Sequence, residues 1–250
     1  MNKLILWWPQ IAIIVLFAVQ CCAAIWMHGN QVKIHVFPSF VRTALFLFLL
    51  SAGGFFVKPA SAEIIPNAAK QHRATLVRSA HMVWGLDAPV ATFAGQVHQE
   101  SRWNVVARSP VGAEGLAQFM PTTTEWIAAA YPKHLAAAQP YNPGWAMRAL
   151  VQYDLWLYSR NQARSPCEKW AMILSAYNGG QGWVNRDRRL ALASGADGLA
   201  WFDSIEKFNA GRSAANFKEN RHYPRVILLR WEPLYVDSGW GNGVCTSFKF

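Results

Sequence analysis

Gln96 to Pro121 reads QVHQESRWNVVARSPVGAEGLAQFMP, and this stretch decides the fold. It places one acid, Glu100, at the end of an apolar-periodic helix and surrounds it with small and polar residues. Pro89 suits the first turn of that helix. Val90, Phe93 and Val97 follow at spacings of three and four, which buries one face and leaves Glu100 in the last turn. A carboxylate there meets the negative end of the helix dipole, and Val97, Trp103, Leu116 and Met120 are apolar neighbours able to take it out of water. Both influences favour the protonated form, which is what a general acid requires at neutral pH. A solvated glutamate at a helix end is the plainer account of a lone acid in such a place.

The blocks around and beyond Glu100 change that balance. Glu100-Ser101 is followed by Ala107 to Gly112 with Ser109 inside, then by Gly115-Leu116-Ala117-Gln118 and Met120-Pro121. Ala176-Tyr177-Asn178-Gly179-Gly180 comes next, and Glu219-Asn220-Arg221-His222-Tyr223 last. Together they resemble the catalytic segment of the lytic transglycosylases with a goose-type lysozyme-like domain, the soluble-lytic-transglycosylase (SLT) family. In that family a Glu-Ser pair precedes Ala-x-Ser-x-x-Gly and Gly-Leu-Met-Gln, and Glu-Thr-x-x-Tyr is frequent near the end. The resemblance covers residues 88–231. Ala117 stands where the family has methionine, Gly180 follows Gly179 where Ala-Gly is usual, and Pro224 after Tyr223 is atypical; none of these touches the acid.

The resemblance implies a mainly α fold with a minor β element (α+β), lysozyme-like, in which the Gly- and Pro-rich region from Ser101 to Gly115 forms a small β-like lobe beside the cleft. It also implies a one-acid route. Glu100 protonates the glycosidic oxygen between N-acetylmuramic acid and N-acetylglucosamine while the 2-acetamido group steadies the developing cation. The same residue then takes the proton from the C6 hydroxyl and leaves a 1,6-anhydromuramoyl end. Ser109 and Gln118 are expected to hydrogen-bond the acetamido-sugar, and Met120 to line the cleft. Tyr177, Asn178 and Tyr223 are expected to orient the sugar or the acid, and Ser101 is counted with the substrate-binding residues. Asn178 as a mere helix terminator and Tyr223 as a mere core residue fit the sequence equally well.

Other glycosidases flank the scissile bond with two carboxylates, about 5–5.5 Å apart when retaining and about 6.5–9.5 Å when inverting. Glu114 is the next acid downstream of Glu100 and reads as solvated, so no second acid is evident. A hydrolytic muramidase on the same fold and a non-catalytic peptidoglycan-binding scaffold are the competing readings. Peptidoglycan strands are the expected partner. The single-domain size leans toward local wall opening for a conjugation, secretion or phage assembly; no nucleic acid, metal or cofactor is expected.

The 250 residues, 52% of them hydrophobic, can bury one full core with an N-terminal extension to spare. Up to Ala62 there are four basic residues, Lys3, Lys33, Arg42 and Lys58, and no acid, whereas all 14 acids lie from Glu63 onward with 20 basic residues. That surplus suits a polyanionic envelope, and equally nucleic acid or a membrane surface. Residues 4–26 are uncharged and long enough to span a bilayer. Residues 43–57, preceded by Arg42 and followed by Lys58-Pro59-Ala60-Ser61-Ala62, have the form of a secretory signal with cleavage after Ala62. The domains are thus residues 1–62, signal or membrane region, and 63–250, the catalytic domain, exported to the periplasm or held at the inner membrane. Met27 as the start, or a membrane hairpin through both runs, are the alternatives. Cys167 and Cys245, an even pair in an oxidising compartment, are expected to form a disulfide, against two buried thiols.

Helices are expected over 68–84, stopped by Gly85, over 121–130, opened by Pro121 and broken at Pro132, and from Asn142-Pro143 to about Arg160 with Met147, Leu150, Val151, Leu155 and Tyr158 as its stripe. Another runs from Ser165-Pro166 to Asn178 with Trp170, Ile173 and Leu174 inward, stopped by Gly179-Gly180, and a last one over 214–231, interrupted or kinked at Pro224. Other motifs fall short. His98-x-Glu100 with Pro166-Cys167 lacks the second cysteine of a zinc deaminase, since Trp170 takes its place. The histidines 72, 81, 98, 134 and 222 have no metal-ligand spacing. Gly239-x-Gly241-x-Gly243 follows no strand, and no G-x-S-x-G elbow is present. The ten tryptophans from Trp84 to Trp240 belong mostly to the core.

Overall fold

The computed structural model describes residues 65–245. The apolar runs at 4–26 and 43–57 and the cleavage point after Ala62 lie outside the described residues. Helix α1 is Asn67–Trp84 and α2, which carries Glu100, is Val90–Ser101. Pro121–Ala130 forms α3, Pro132–Leu135 the single turn α4, and Pro143–Tyr158 the long α5. Pro166–Gly179 is α6, Gln181–Ala193 is α7, and a 3-10 turn follows at Ile205–Lys207. The last stretch is one nearly continuous rod, α8 at Ala214–Val226, a π-helical segment at Ile227–Trp231, and α9 at Glu232–Asp237.

Local chemistry sets these boundaries. Proline occupies the first turn of α3, α4, α5 and α6, where its missing N–H costs nothing. The side chains of Asn142, Ser165 and Ser213 cap α5, α6 and α8 by accepting from the backbone N–H of Trp145, Glu168 and Asn216. Pro224 was expected to interrupt or kink the last helix; α8 passes through it without a break, and the register widens to π three residues later. Pro224 and Pro233 withhold the N–H groups that an α-helix would offer to the carbonyls of Asn220 and Leu229, and the π segment lies between these two gaps. Helix α7 was not expected, because Gly179-Gly180 reads as a stop. Gly180 turns the chain at φ +95°, and α7 restarts at the next residue.

Helix α2 is the centre of the packing. Sequence periodicity predicts one buried face, yet every residue from Val90 to His98 is buried, including Thr92, Gln96 and His98. Helices α1 and α5 pack together with α1 also on α2, α6 lies between α5, α7 and α8, and the π segment and α9 cover α2 from behind. Gly95 permits that closeness. A Cβ there would stand 3.0 Å from Trp231 Cβ and 3.2 Å from the backbone nitrogen of Glu232. Phe93, Trp84 and Trp170 interlock edge to face or tilted at 5.3–5.6 Å, joining α2 to α1 and α6.

Behind α2 the polar groups are matched. His98 Nδ1 and Trp103 Nε1 both meet the Tyr235 hydroxyl, at 2.9 and 2.6 Å, and Trp231 stacks on His98 at 4.0 Å. Glu232, with no exposed surface, accepts from Thr92 Oγ1 at 2.6 Å and from the backbone N–H of Cys245 at 2.7 Å. The tail that brings Cys245 there also offers the Asn242 carbonyl to the Ala91 N–H at 3.1 Å. The Cys167–Cys245 disulfide forms as expected, with Cα atoms 4.8 Å apart.

The expected minor β element shrinks to two isolated antiparallel bridges among the described residues, Arg108 with Glu114 and Glu114 with Phe119. The reason lies in the backbone. Arg102, Trp103, Gly112, Gly115 and Gln118 all take positive φ, so the chain turns too often for a ladder to extend beyond one pair.

Candidate active site

Glu100 lies in the last turn of α2 as the pattern of its helix predicts; Ser101 ends the helix, and two consecutive positive-φ residues, Arg102 and Trp103, follow. Such conformations are uphill for residues with a Cβ and persist only where packing imposes them. Here the buried Trp103 is held by Tyr235, so its indole lies behind α2.

Tyr223, 4% exposed on α8, donates its hydroxyl hydrogen bond to Glu100 Oε1. Glu100 keeps part of its surface in solvent, but its carboxyl is packed among side chains. Loss of water is the largest influence and raises its pKa from 4.5 to about 8; the Tyr223 hydroxyl opposes this, and the charge of Glu219 adds to it. Glu219 is exposed and lies one turn before Tyr223 on the same face of α8. Asn178 Nδ2 donates to Glu219 Oε1 at 3.3 Å, and Asn220 Nδ2 donates to Asn178 Oδ1 at 2.9 Å. These bonds tie the end of α6 to α8 beside the acid.

Tyr177, also from α6, donates to the Ala117 carbonyl at 2.7 Å. Burial and the charge of Glu100 push its phenol well above the ordinary range. The loop under it is built by its own side chains. Gln118, at φ +47°, donates to the carbonyls of Ala107 and Gly115 at 3.2 and 2.9 Å, and Ser109 Oγ accepts from the Ala113 N–H at 2.9 Å. Gly115 fits only as glycine, since a Cβ would stand 2.0 Å from the Pro140 carbonyl oxygen. Met120 precedes α3 and is 42% exposed.

Of the residues singled out by sequence, Glu100, Tyr223, Tyr177 and Asn178 are linked to one another by hydrogen bonds or charge, directly or through Glu219. Ser109 and Gln118 shape the loop. Ser101 is buried and its hydroxyl returns to the Val97 carbonyl at 3.3 Å. Glu114, read as solvated, is half-buried and accepts from the Tyr141 hydroxyl at 3.2 Å. Sequence reasoning missed Glu219 as a second carboxylate of the site, although its i, i+4 relation to Tyr223 could have shown it. It also missed Asp154 on α5, a buried acid facing Glu100, whose signal is a charge set inside the apolar stripe from Leu150 to Leu157.

Residues 86–198 match the family model described as the Transglycosylase SLT domain. The chain is 30% identical over 156 residues to the membrane-bound lytic murein transglycosylase F of Thiobacillus denitrificans, a match that covers 55% of this chain and 31% of the relative. An inactive glutamate-to-glutamine mutant of lytic transglycosylase Slt from Pseudomonas aeruginosa superposes with a TM-score of 0.52 at 27% identity, over 69% of this chain and 25% of that one. The 70-kDa soluble lytic transglycosylase in complex with bulgecin A superposes with a TM-score of 0.51 at 22% identity, again over 69% of this chain and 25% of that one, a likeness of fold. The chain therefore spans under a third of the length of these relatives.

Proposed function

We propose, from the match of residues 86–198 to the Transglycosylase SLT domain model, a peptidoglycan lytic transglycosylase that cleaves the β-1,4 bond between N-acetylmuramic acid and N-acetylglucosamine and forms 1,6-anhydromuramic acid. The observation that carries this reading is Glu100, a carboxyl raised to about 8 with Tyr223 as its hydrogen-bond donor. At neutral pH it holds a proton. It passes that proton to the glycosidic oxygen as the C1–O bond breaks, and the acetamido oxygen of the sugar steadies C1. The Glu100 carboxylate, held by the Tyr223 hydroxyl, then removes the proton of the C6 hydroxyl as O6 closes on C1. The acid is restored and no water is consumed.

In this reading Gln118, Ser109, Met120, Tyr177 and Asn178 face the sugars, and Ser101 reaches them only by turning from the Val97 carbonyl. Residues 1–62 carry the export signal or membrane segment, and residues 63–250 act on the wall outside the inner membrane, opening it for a larger assembly. The name of the Thiobacillus relative, membrane-bound and murein-cleaving, supports that placement. One observation favours a second reading. Glu219 is an exposed carboxylate whose charge reaches Glu100, and a hydrolytic muramidase needs such a group to activate water.

Replacing Glu100 with glutamine keeps size and removes the transferable proton, so turnover is expected to fall by about 10²–10⁴-fold or more with folding intact. Purified peptidoglycan digested with the parent protein should yield muropeptides lighter by one water than a lysozyme digest. Reducing muramic acid ends would transfer the assignment to the Glu219 hydrolase. Sedimentation with the wall and no products would make the protein a scaffold.

A further inference from the structure

One helical turn before Glu100 on α2, Gln96 is fully buried, and so is Asp154 opposite it on α5. Gln96 Nε2 donates to Asp154 Oδ1 at 3.4 Å. The two remaining oxygens, Gln96 Oε1 and Asp154 Oδ2, are sealed from solvent and have no hydrogen-bond partner. The groups facing Asp154 are Gln96 and Glu100 on α2, Tyr177 on α6 and Tyr223 on α8, with Tyr153 beside it on α5. None of them is a cation. An ionised Asp154 would be a buried charge with one long hydrogen bond, next to a carbonyl that lacks a donor, and a buried acid escapes that cost by keeping its proton. Protonation mends both defects together. An O–H on Asp154 Oδ2 is the donor that Gln96 Oε1 lacks, and a carboxylic acid and a carboxamide are planar forks of matching pattern.

We propose that Asp154 is a neutral carboxylic acid and a positioning residue for Glu100, closing a ring of two hydrogen bonds with Gln96: Oδ2–H donates to Oε1, and Nε2 donates to Oδ1. Gln96 and Glu100 lie on one face of α2, so the ring fixes the rotation of the turn that ends in the acid. It also leaves Glu100 facing no charge from α5. Burial holds the Asp154 carboxyl well above the usual carboxylate range, and the charge of Glu100 adds to that. Glu100 then titrates against the Glu219 carboxylate and the hydroxyls of Tyr223 and Tyr177. A sealed, protonated Asp154 cannot activate water, so among the acids facing Glu100 only Glu219 is open to that role. The positioning role rests on the reading of Glu100 as the proton donor; the protonation of Asp154 does not.

The test uses the full chain in detergent, with aspartate labelled at the carboxyl carbon, and Asp154→Asn to assign the resonance. The Asp154 signal should stay at the position of a protonated acid from about pH 5 to about pH 8; an ionised signal at neutral pH overturns the proposal, whatever the enzyme does. The second arm is the pH–rate profile of peptidoglycan cleavage. Asp154→Asn still offers Gln96 a donor, so turnover should stay within about twofold and the pH midpoint should not move, whereas Asp154→Leu should lose roughly tenfold in kcat at unchanged KM. A midpoint lowered by about half a unit or more in Asp154→Asn would mean that a negative charge facing Glu100 has been removed, and the neutral acid would be wrong. If Asp154→Leu does not fold, the asparagine variant and the carboxyl signal still decide. If the parent cleaves nothing, the reading of function fails and the carboxyl signal still decides the protonation of Asp154.

Discussion

Glu232 and Glu100 each press a carboxyl against α2, one behind the helix and one at its end, and the protein treats them differently. Glu232 receives the Thr92 hydroxyl and the backbone N–H groups of Cys245 and Val244. Burial pushes it above its ordinary range and these donors draw it back. Glu100 receives the Tyr223 hydroxyl, and burial with the nearby Glu219 charge carries it to about 8. Among the other deeply buried acids, Asp154 sides with Glu100, with one long bond from Gln96, whereas Glu168 and Asp187 side with Glu232. Glu168 accepts from the backbone of Trp201 and Phe202, and Asp187 is shared by Arg212 and Arg221. A buried carboxyl with several fixed donors is an anchor; one left with few is a place to keep a proton.

The sharpest way to break this contrast is to remove the anchor. Glu232→Ala orphans the Thr92 hydroxyl and two backbone N–H groups, so it should cost about 3 kcal/mol of unfolding free energy, read as a lower urea midpoint. A change near zero would mean that the donors do not hold it. The acid at the front predicts the opposite behaviour. Between about pH 4.5 and about pH 8 folded Glu100 keeps a proton that the unfolded chain has released, so the parent protein loses stability as pH rises through that window. Glu100→Gln removes the effect. Its stability relative to the parent should improve by roughly 3 kcal/mol from pH 5 to pH 8 in urea unfolding, and a pH-independent difference would contradict the raised carboxyl. The smallest change expected is that of Tyr223→Phe. Loss of its hydroxyl takes away the influence that lowers the Glu100 pKa, so turnover should fall about tenfold and the alkaline limb of the pH–rate profile should move upward. A limb that moves downward would show that Tyr223 does not serve the carboxylate.

Helix α2 and its terminal acid were legible because periodicity is a local property of the chain, whereas the Tyr177 and Tyr223 blocks were marked by the family resemblance. The caps at Asn142 and Ser165 were legible as local signals too. What the sequence hid was depth. Thr92, Gln96 and His98 interrupt the apolar pattern of α2 and read as a polar face, yet all three are buried, because the partners that meet them, Glu232, Asp154 and Tyr235, arrive from 58 to 140 residues away. Asp154 sat inside a stripe taken as apolar, and Glu219 gained meaning only once α8 had been laid against α2. The β-like lobe failed for a different reason, since composition marks where a chain turns but not how often it takes positive φ.

The π segment has a consequence for phase. At about 100° per residue, twelve α-helical steps would leave Tyr235 roughly a third of a turn away from Tyr223. Both nevertheless aim their hydroxyls at groups on or just beyond α2, Tyr223 at Glu100 and Tyr235 at His98 and Trp103. The wider turn from Ile227 to Trp231 absorbs that offset, so the rod from Ala214 to Asp237 works as two keys cut on one shank, one fitted to the Glu100 carboxyl and the other to the wall behind α2. Taking one residue out of the segment, at Leu229 for example, would leave eleven α-helical steps, about 20° from three full turns, so a plain α-helix of that shorter length would hold both keys in phase and the extra residue is what the π turn accommodates.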